Sequence, residues 1–217
     1  MTALIFDLDG TLLDTLEDLL SATNYALTAN GFPKRTLEQL RRSVGNGAAN
    51  QIRTSLPEHT GEETVRKVLA DYLPYYREHC RIRTAPYPGI PEALAELQKC
   101  YGLAIVSNKP DAAAKSLCAH FFPGIPAIGQ TEACPRKPAP DMVKKAMALL
   151  SARRAIYIGD SEVDILTGQN AGIPCVSVAW GFRGEAALRT AGAQCLCRRP
   201  ENLIGCIERM EREFYGQ

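Results

Sequence analysis

Ala3-Leu4-Ile5-Phe6-Asp7-Leu8-Asp9-Gly10-Thr11-Leu12-Leu13-Asp14-Thr15 is the stretch on which the fold of this chain turns. An apolar run too short for a helix meets an aspartate, a second aspartate follows two positions later, and a Gly-Thr turn comes next. A run of this kind, Leu4–Leu8, predicts a strand buried on both faces, as in a parallel sheet. Alternation along an extended chain sends Asp7 and Asp9 to the same side. Neighbouring carboxylates repel and call for a cation or a shared proton. A solvated acidic turn at the end of a strand is the competing reading.

Working outward, Leu103–Val106, Ala155–Ile158 and Pro174–Trp180 carry the same signature. Helical patterns separate them over Pro91–Gly102, Ala139–Ser151 and Val163–Gly172, with proline near a first turn and glycine past an end. Strand alternating with helix predicts an α/β fold, a Rossmann-like doubly wound parallel sheet. One region departs from it. From Thr15 to Arg83 there are only helical patterns, one of them placing Leu16, Leu19, Leu20, Thr23 and Leu27 near one face. Two more follow, Thr36–Gly45 and Gly61–Cys80, and Pro74 is expected to kink or end the last. The expected organisation is a catalytic core of residues 1–14 and 84–217, interrupted by a helical cap domain of residues 15–83.

The 217 residues carry a net charge of +1, which gives no overall pull toward a nucleic acid polymer or an anionic membrane. No apolar run approaches the ~18 residues of a membrane span, and Asp7 cuts short the only N-terminal candidate for an export signal. A cytoplasmic protein, monomer or homodimer, is the expectation. The eight cysteines are scattered and are read as buried or incidental thiols, with Cys195 and Cys197 as alternate residues of a strand.

Ligands of open α/β sheets bind beyond the carboxyl ends of the strands, and four polar sets fall there. Asp7 to Thr11 is the first. Ser107-Asn108-Lys109 offers a hydroxyl and backbone amides suited to an anion, or an ordinary turn. Lys137-Pro138-Ala139-Pro140 holds a lysine in a stiffened approach to a helix, or simply exposes it. Gly159-Asp160-Ser161-Glu162-Val163-Asp164 reads as metal ligation with supporting contacts, or as helix capping.

In order and spacing, "DLDGTLLD", "SN", "KP" and "GDSEVD" together resemble the four motifs of the haloacid dehalogenase-like superfamily, in particular its magnesium-dependent phosphatases. The resemblance spans essentially the whole chain, helical insertion included. "VGNGA", "YREHC", "PYPG", "SNKP" and "WGFR" are similar to phrases of its phosphoglycolate phosphatase group. It implies Asp7 as nucleophile, Asp9 as general acid and base, and Lys137, not Lys109, as the cation that steadies the phosphoryl group. It implies Mg2+ on Asp7, the backbone carbonyl of Asp9, and Asp160, with Asp164 behind them. The expected substrate contacts are Thr11, Ser107, Asn108 and Asn46, the last in a Gly45–Ala48 loop that is either amide-rich and flexible or only a helix-ending turn. Arg41, Arg42 and Arg183 are candidates to border the site or else surface residues. The implied activity is hydrolysis of a small phosphorylated substrate, 2-phosphoglycolate first. A phosphomutase of the β-phosphoglucomutase type, or a phosphatase acting on nucleotides or pyrophosphate, is the alternative.

Overall fold

The structure, a computed structural model, describes residues 2–216. The strand β1 (Thr2–Phe6) ends one residue before Asp7, and a short β2 (Leu13–Asp14) follows the turn. Then come the helices α1 (Leu16–Ala29), α2 (Leu37–Ser43), α3 (Ala48–Ser55) and α4 (Glu62–His79). The chain returns through β3 (Ala85–Pro86), which pairs antiparallel with β2 and so brings the two ends of the insertion together. From there helix and strand alternate: α5 (Ile90–Leu97), β4 (Gly102–Pro110), α6 (Asp111–Phe121), β5 (Ala127–Gln130), α7 (Asp141–Leu149) and β6 (Arg154–Gly159). The rest is α8 (Glu162–Ala171), β7 (Cys175–Val178), α9 (Gly184–Thr190), β8 (Cys195–Cys197) and α10 (Leu203–Tyr215).

Six strands form one sheet in the order β5-β4-β1-β6-β7-β8, every pair parallel. The expected doubly wound α/β fold is therefore observed. Side chains alternate between the two faces as the pleat requires. Leu4, Phe6, Ile105 and Ile158 join the larger apolar core, whereas Ala3, Ile5, Ala104 and Tyr157 join the smaller one on the opposite face. Since β4 and β6 flank β1, the chain reverses its winding direction at β1. That is the crevice in which such sheets bind ligands.

Pro74 does not end its helix. Glu62–His79 runs through it as one element. A proline inside a helix costs ~3 kcal/mol, but Val65, Val68, Tyr72 and Tyr76 on the same helix are buried, and their burial offsets it. Asp18, near the start of α1, is also buried. Its carboxylate accepts hydrogen bonds from the amides of Ile82, Arg83 and Thr84, at 2.9–3.1 Å, where the insertion rejoins the core. All eight cysteines are free thiols, and Cys195 and Cys197 alternate in β8 as expected. Among the described residues, no helix is long and apolar enough to cross a membrane.

Candidate active site

The carboxyl end of β1 delivers Asp7 and Asp9 to one cavity of about 390 Å3, roofed by the helical insertion. Leu8 between them is fully buried in the core, so the alternation read from the sequence holds. Lys137 reaches the same place from the loop before α7. Its Nζ donates to Asp7 Oδ1 at 2.6 Å, to Asp164 Oδ1 at 2.7 Å and to the Tyr157 hydroxyl at 3.0 Å. Asp164 Oδ2 accepts from Ser161 N at 3.1 Å and from Ser161 Oγ at 2.6 Å, closing the first turn of α8. The capping reading of this segment therefore holds, through Ser161 and Asp164, and the same Asp164 side chain anchors the lysine.

Asp160 is buried and is held from two sides. Phe182 N donates to its Oδ2 at 2.7 Å, and Thr11 Oγ1 approaches Oδ1 at 3.4 Å. Gly10, with φ +82°, and Gly181 leave the room this carboxylate occupies; a Cβ on either would run into it. Thr11, named as a substrate contact, is fully buried with its hydroxyl on Asp160.

One carboxylate oxygen each from Asp7, Asp160 and Asp164 lies within 4.8 Å of the others. Burial pushes the Asp7 carboxyl up; Lys137 pulls it down, Asp164 and Asp9 push it up again, and it rests at about 7. Asp160 is raised well above the carboxylate range by burial, then by Asp164 and Asp7. For Lys137, burial works against the charge, but Asp164 and Asp7 outweigh it and hold the ammonium group protonated. Here negative charge exceeds positive. Hard oxygen donors, three carboxyl groups around one ammonium group, fit a divalent cation.

Ser107, Asn108 and Lys109 all line the cavity, which strict alternation would forbid. The register of β4 against β5 shifts between Val106 and Pro110, an irregularity that re-aims the side chains. The Asn108 amide is committed to the scaffold: Oδ1 accepts from Lys137 N at 2.7 Å, and Nδ2 donates to Gly45 O at 2.8 Å and to Lys137 O at 3.2 Å. Lys109 Nζ sits 2.7 Å from Asp9 Oδ1. Thus Lys137 serves the nucleophile candidate, and Lys109 serves its neighbour.

The Gly45–Ala48 loop abuts the core, with Gly45, Gly47 and Ala48 on the cavity wall. Asn46 contributes its backbone carbonyl to Arg136, at 2.9 Å, and its side chain is not on that wall. Arg183 joins the two halves of the molecule, donating to the carbonyls of Arg41 at 2.8 Å and Val44 at 2.7 Å while pairing with Glu162 at 2.9 Å. Arg42 is exposed and paired with Glu38, and neither it nor Arg41 lines the cavity. Gln51, on a helix the sequence pattern does not predict, is buried on the wall with Nε2 2.9 Å from Thr23 Oγ1. Tyr157, an aromatic in an apolar strand, reads in the sequence as core, yet its hydroxyl meets Lys137.

Comparison with known proteins agrees with this arrangement. The profile of the family described as haloacid dehalogenase-like hydrolase matches residues 4–178. A phosphoglycolate phosphatase of Rhodobacter capsulatus is 37% identical over 190 residues, covering 83% of this chain and 85% of its own. An N-acetylmuramic acid 6-phosphate phosphatase of Pseudomonas aeruginosa is 31% identical over 219 residues, covering 96% of each. A solved structure from Lactobacillus delbrueckii subsp. bulgaricus, provisionally named phosphoglycolate phosphatase, superimposes with a TM-score of 0.90 at 36% identity, over 95% of this chain and 98% of that one. With its four motifs gathered at the end of one parallel sheet, the chain belongs to the haloacid dehalogenase-like hydrolases.

Proposed function

We propose that the protein is a phosphatase that hydrolyses a small phosphate monoester, 2-phosphoglycolate foremost, through an aspartyl-phosphate on Asp7. The observation that carries this reading is the Asp7 carboxylate. It is buried at the foot of a cavity, touched by a single ammonium group and flanked by further carboxylates. A buried carboxylate with such neighbours is an activated nucleophile when a cation offsets the surplus charge.

Unit charges ~4 Å apart interact by roughly 4 kcal/mol at an effective dielectric of ~20. Asp7 approaching a phosphate dianion therefore needs positive charge on both reactants. Lys137 provides part of it. Asp7, the backbone carbonyl of Asp9, and Asp160 are the proposed ligands of Mg2+. Bound there, the metal offsets charge between nucleophile and phosphate and polarises a phosphoryl oxygen. An Asp7 carboxylate oxygen forms the new bond to phosphorus as the ester oxygen leaves with a proton from Asp9. Asp9 then takes a proton from the water that cleaves the acyl phosphate, which frees orthophosphate and restores Asp7. Ser107 and nearby amides donate to the phosphoryl oxygens. Residues 15–83 act as a cap, whose closure over the cavity excludes bulk water.

A second reading keeps the chemistry and enlarges the substrate. The cavity volume of about 390 Å3 falls in the ~300–1,000 Å3 range that holds drug-sized ligands, and Leu19, Tyr72 and Ala113 give it an apolar wall. That favours a sugar phosphate of the kind named for the Pseudomonas aeruginosa relative.

The deciding experiment is phosphate release with and without Mg2+ from 2-phosphoglycolate, sugar phosphates and nucleotides, run beside Asp7→Asn. Acid-quenched wild-type enzyme should carry phosphate on the peptide containing Asp7. Near-normal turnover by a pure Asp7→Asn protein would reject the covalent route. Isomer formation without phosphate release would turn the assignment to a mutase.

A further inference from the structure

Three cationic side chains line the cavity: Arg77, Lys109 and Lys137. Lys137 is spent on Asp7 and Asp164. Arg77 lies on an exposed position of α4. Lys109 differs from both. It is only 8% exposed, its Nζ lies 4.9 Å over the ring of Tyr76, and among the described residues its one ion pair is with Asp9.

Both recorded contacts of the Asp9 carboxylate fall on one oxygen. Thr15 Oγ1 donates to Oδ1 at 2.5 Å, and Lys109 Nζ approaches the same atom at 2.7 Å. Among the described residues, Oδ2 makes no hydrogen bond, and it is therefore the oxygen able to meet an ester oxygen. A proton donor must come within about 2.6–3.2 Å of that atom. The group attached beyond the ester oxygen is then brought beside Lys109, whose ammonium already touches the same carboxylate. Leu19, Tyr72, Tyr76, Ala112 and Ala113 give the rest of the wall an uncharged surface, which leaves the exposed Arg77 as the competing cation. Arg41 and Arg42, the arginines the sequence suggests for an anionic substrate end, are not on that wall.

We propose that Lys109 is the specificity-determining residue for the leaving group, selecting one with a carboxylate on the carbon next to the ester oxygen. The proposal rests on the Asp7–Asp9 phosphatase reading given above and adds the group that distinguishes 2-phosphoglycolate from a neutral ester. In this arrangement Lys109 bridges two carboxylates, that of Asp9 and that of the substrate. Its ammonium has three protons for the purpose.

The test compares 2-phosphoglycolate with 2-hydroxyethyl phosphate, the same skeleton with an uncharged end, in wild type, Lys109→Met and Lys109→Arg. Loss of the Asp9 contact in Lys109→Met lowers turnover of both esters. Loss of the substrate contact lowers only one. Wild type should prefer 2-phosphoglycolate, and Lys109→Met should reduce that preference in kcat/KM by about 10–100-fold, equivalent to ~1.4–2.8 kcal/mol. Lys109→Arg should keep most of it. Titration calorimetry of Asp7→Asn and Asp7→Asn/Lys109→Met with the two esters reads the same ratio in binding, without turnover. Equal losses for both esters would reduce Lys109 to a positioning residue for Asp9 and overturn the proposal. A wild type that hydrolyses both esters equally well overturns it too, but leaves the phosphatase reading standing. A wild type that hydrolyses no phosphate monoester removes both.

Discussion

Lys137→Met should unfold the metal-free protein far more easily at pH 8 than at pH 5. The lysine is 2% exposed and lies 2.6 Å from Asp7 and 2.7 Å from Asp164, both buried. Breaking a buried ion pair by removing one partner costs about 3–5 kcal/mol, because the other charge is left without compensation. For a chain of 217 residues, each kcal/mol moves the melting temperature by roughly 2–4 °C. The expected drop at pH 8 is therefore on the order of 6–20 °C. The pH dependence follows from Asp7, whose carboxyl stands at about 7 in the folded protein against 3.8 when unperturbed. A carboxyl raised by folding contributes stability that is complete below its unfolded value and is lost as pH rises through the folded one. At pH 5 Asp7 holds a proton and needs Lys137 less; at pH 8 Lys137 is what favours its ionised form, so Lys137→Met pushes that carboxyl up further and leaves it either charged without compensation or protonated at a cost. Calorimetric melts of both proteins in chelator at the two pH values measure this. Equal melting temperatures at pH 8, or a larger loss at pH 5, would refute the charge balance described for this cluster.

Gly181→Ala puts a methyl group against the Asp160 side chain and the Gly10 carbonyl, so it should weaken Mg2+ binding by calorimetry at least tenfold while far-ultraviolet circular dichroism stays unchanged. Arg183→Ala frees the carbonyls of Arg41 and Val44; faster amide exchange over residues 41–48 is expected, with a raised KM. Unchanged exchange there would mean that Arg183 does not hold the insertion against the core. Tyr157→Phe removes one donor from the cluster, the hydroxyl that touches Lys137 at 3.0 Å and Asp164 at 3.3 Å. It should cost about 1 kcal/mol in urea unfolding, and no loss at all would show that the phenol contributes nothing to holding the lysine.

What the sequence discloses of this site depends on how local each cause is. Asp7, Asp9 and Asp160 stand beside short apolar strands, and the strand alone dictates where they point, so their convergence is readable from the order of motifs. Lys109 and Asp9 are a hundred positions apart, and their pairing depends on the register shift in β4, which no local pattern announces. Asn108 reads as a donor for substrate because its amide is polar and its neighbours are motif residues. Its two polar atoms are in fact occupied by Lys137 and Gly45, which a sequence alone does not place within reach. The helix α3 escapes notice because Ile52 is its only large apolar residue, yet it brings Gln51 to the cavity.

Asp18 shows the same limit from another direction. On an amphipathic helix, an acid in the first turn is expected to face water and favour the helix dipole. But the amides of Ile82, Arg83 and Thr84 arrive there as the chain leaves the insertion, and a buried amide such as that of Thr84 must be paired. No strand is available to them, so a carboxylate serves instead and turns inward. The residue that ties down the exit of the insertion is thus decided by the unmet hydrogen bonds of a segment more than sixty residues away. Asp18→Ala would remove the acceptor shared by those three amides and leave the buried Thr84 amide unpaired where the insertion rejoins the core.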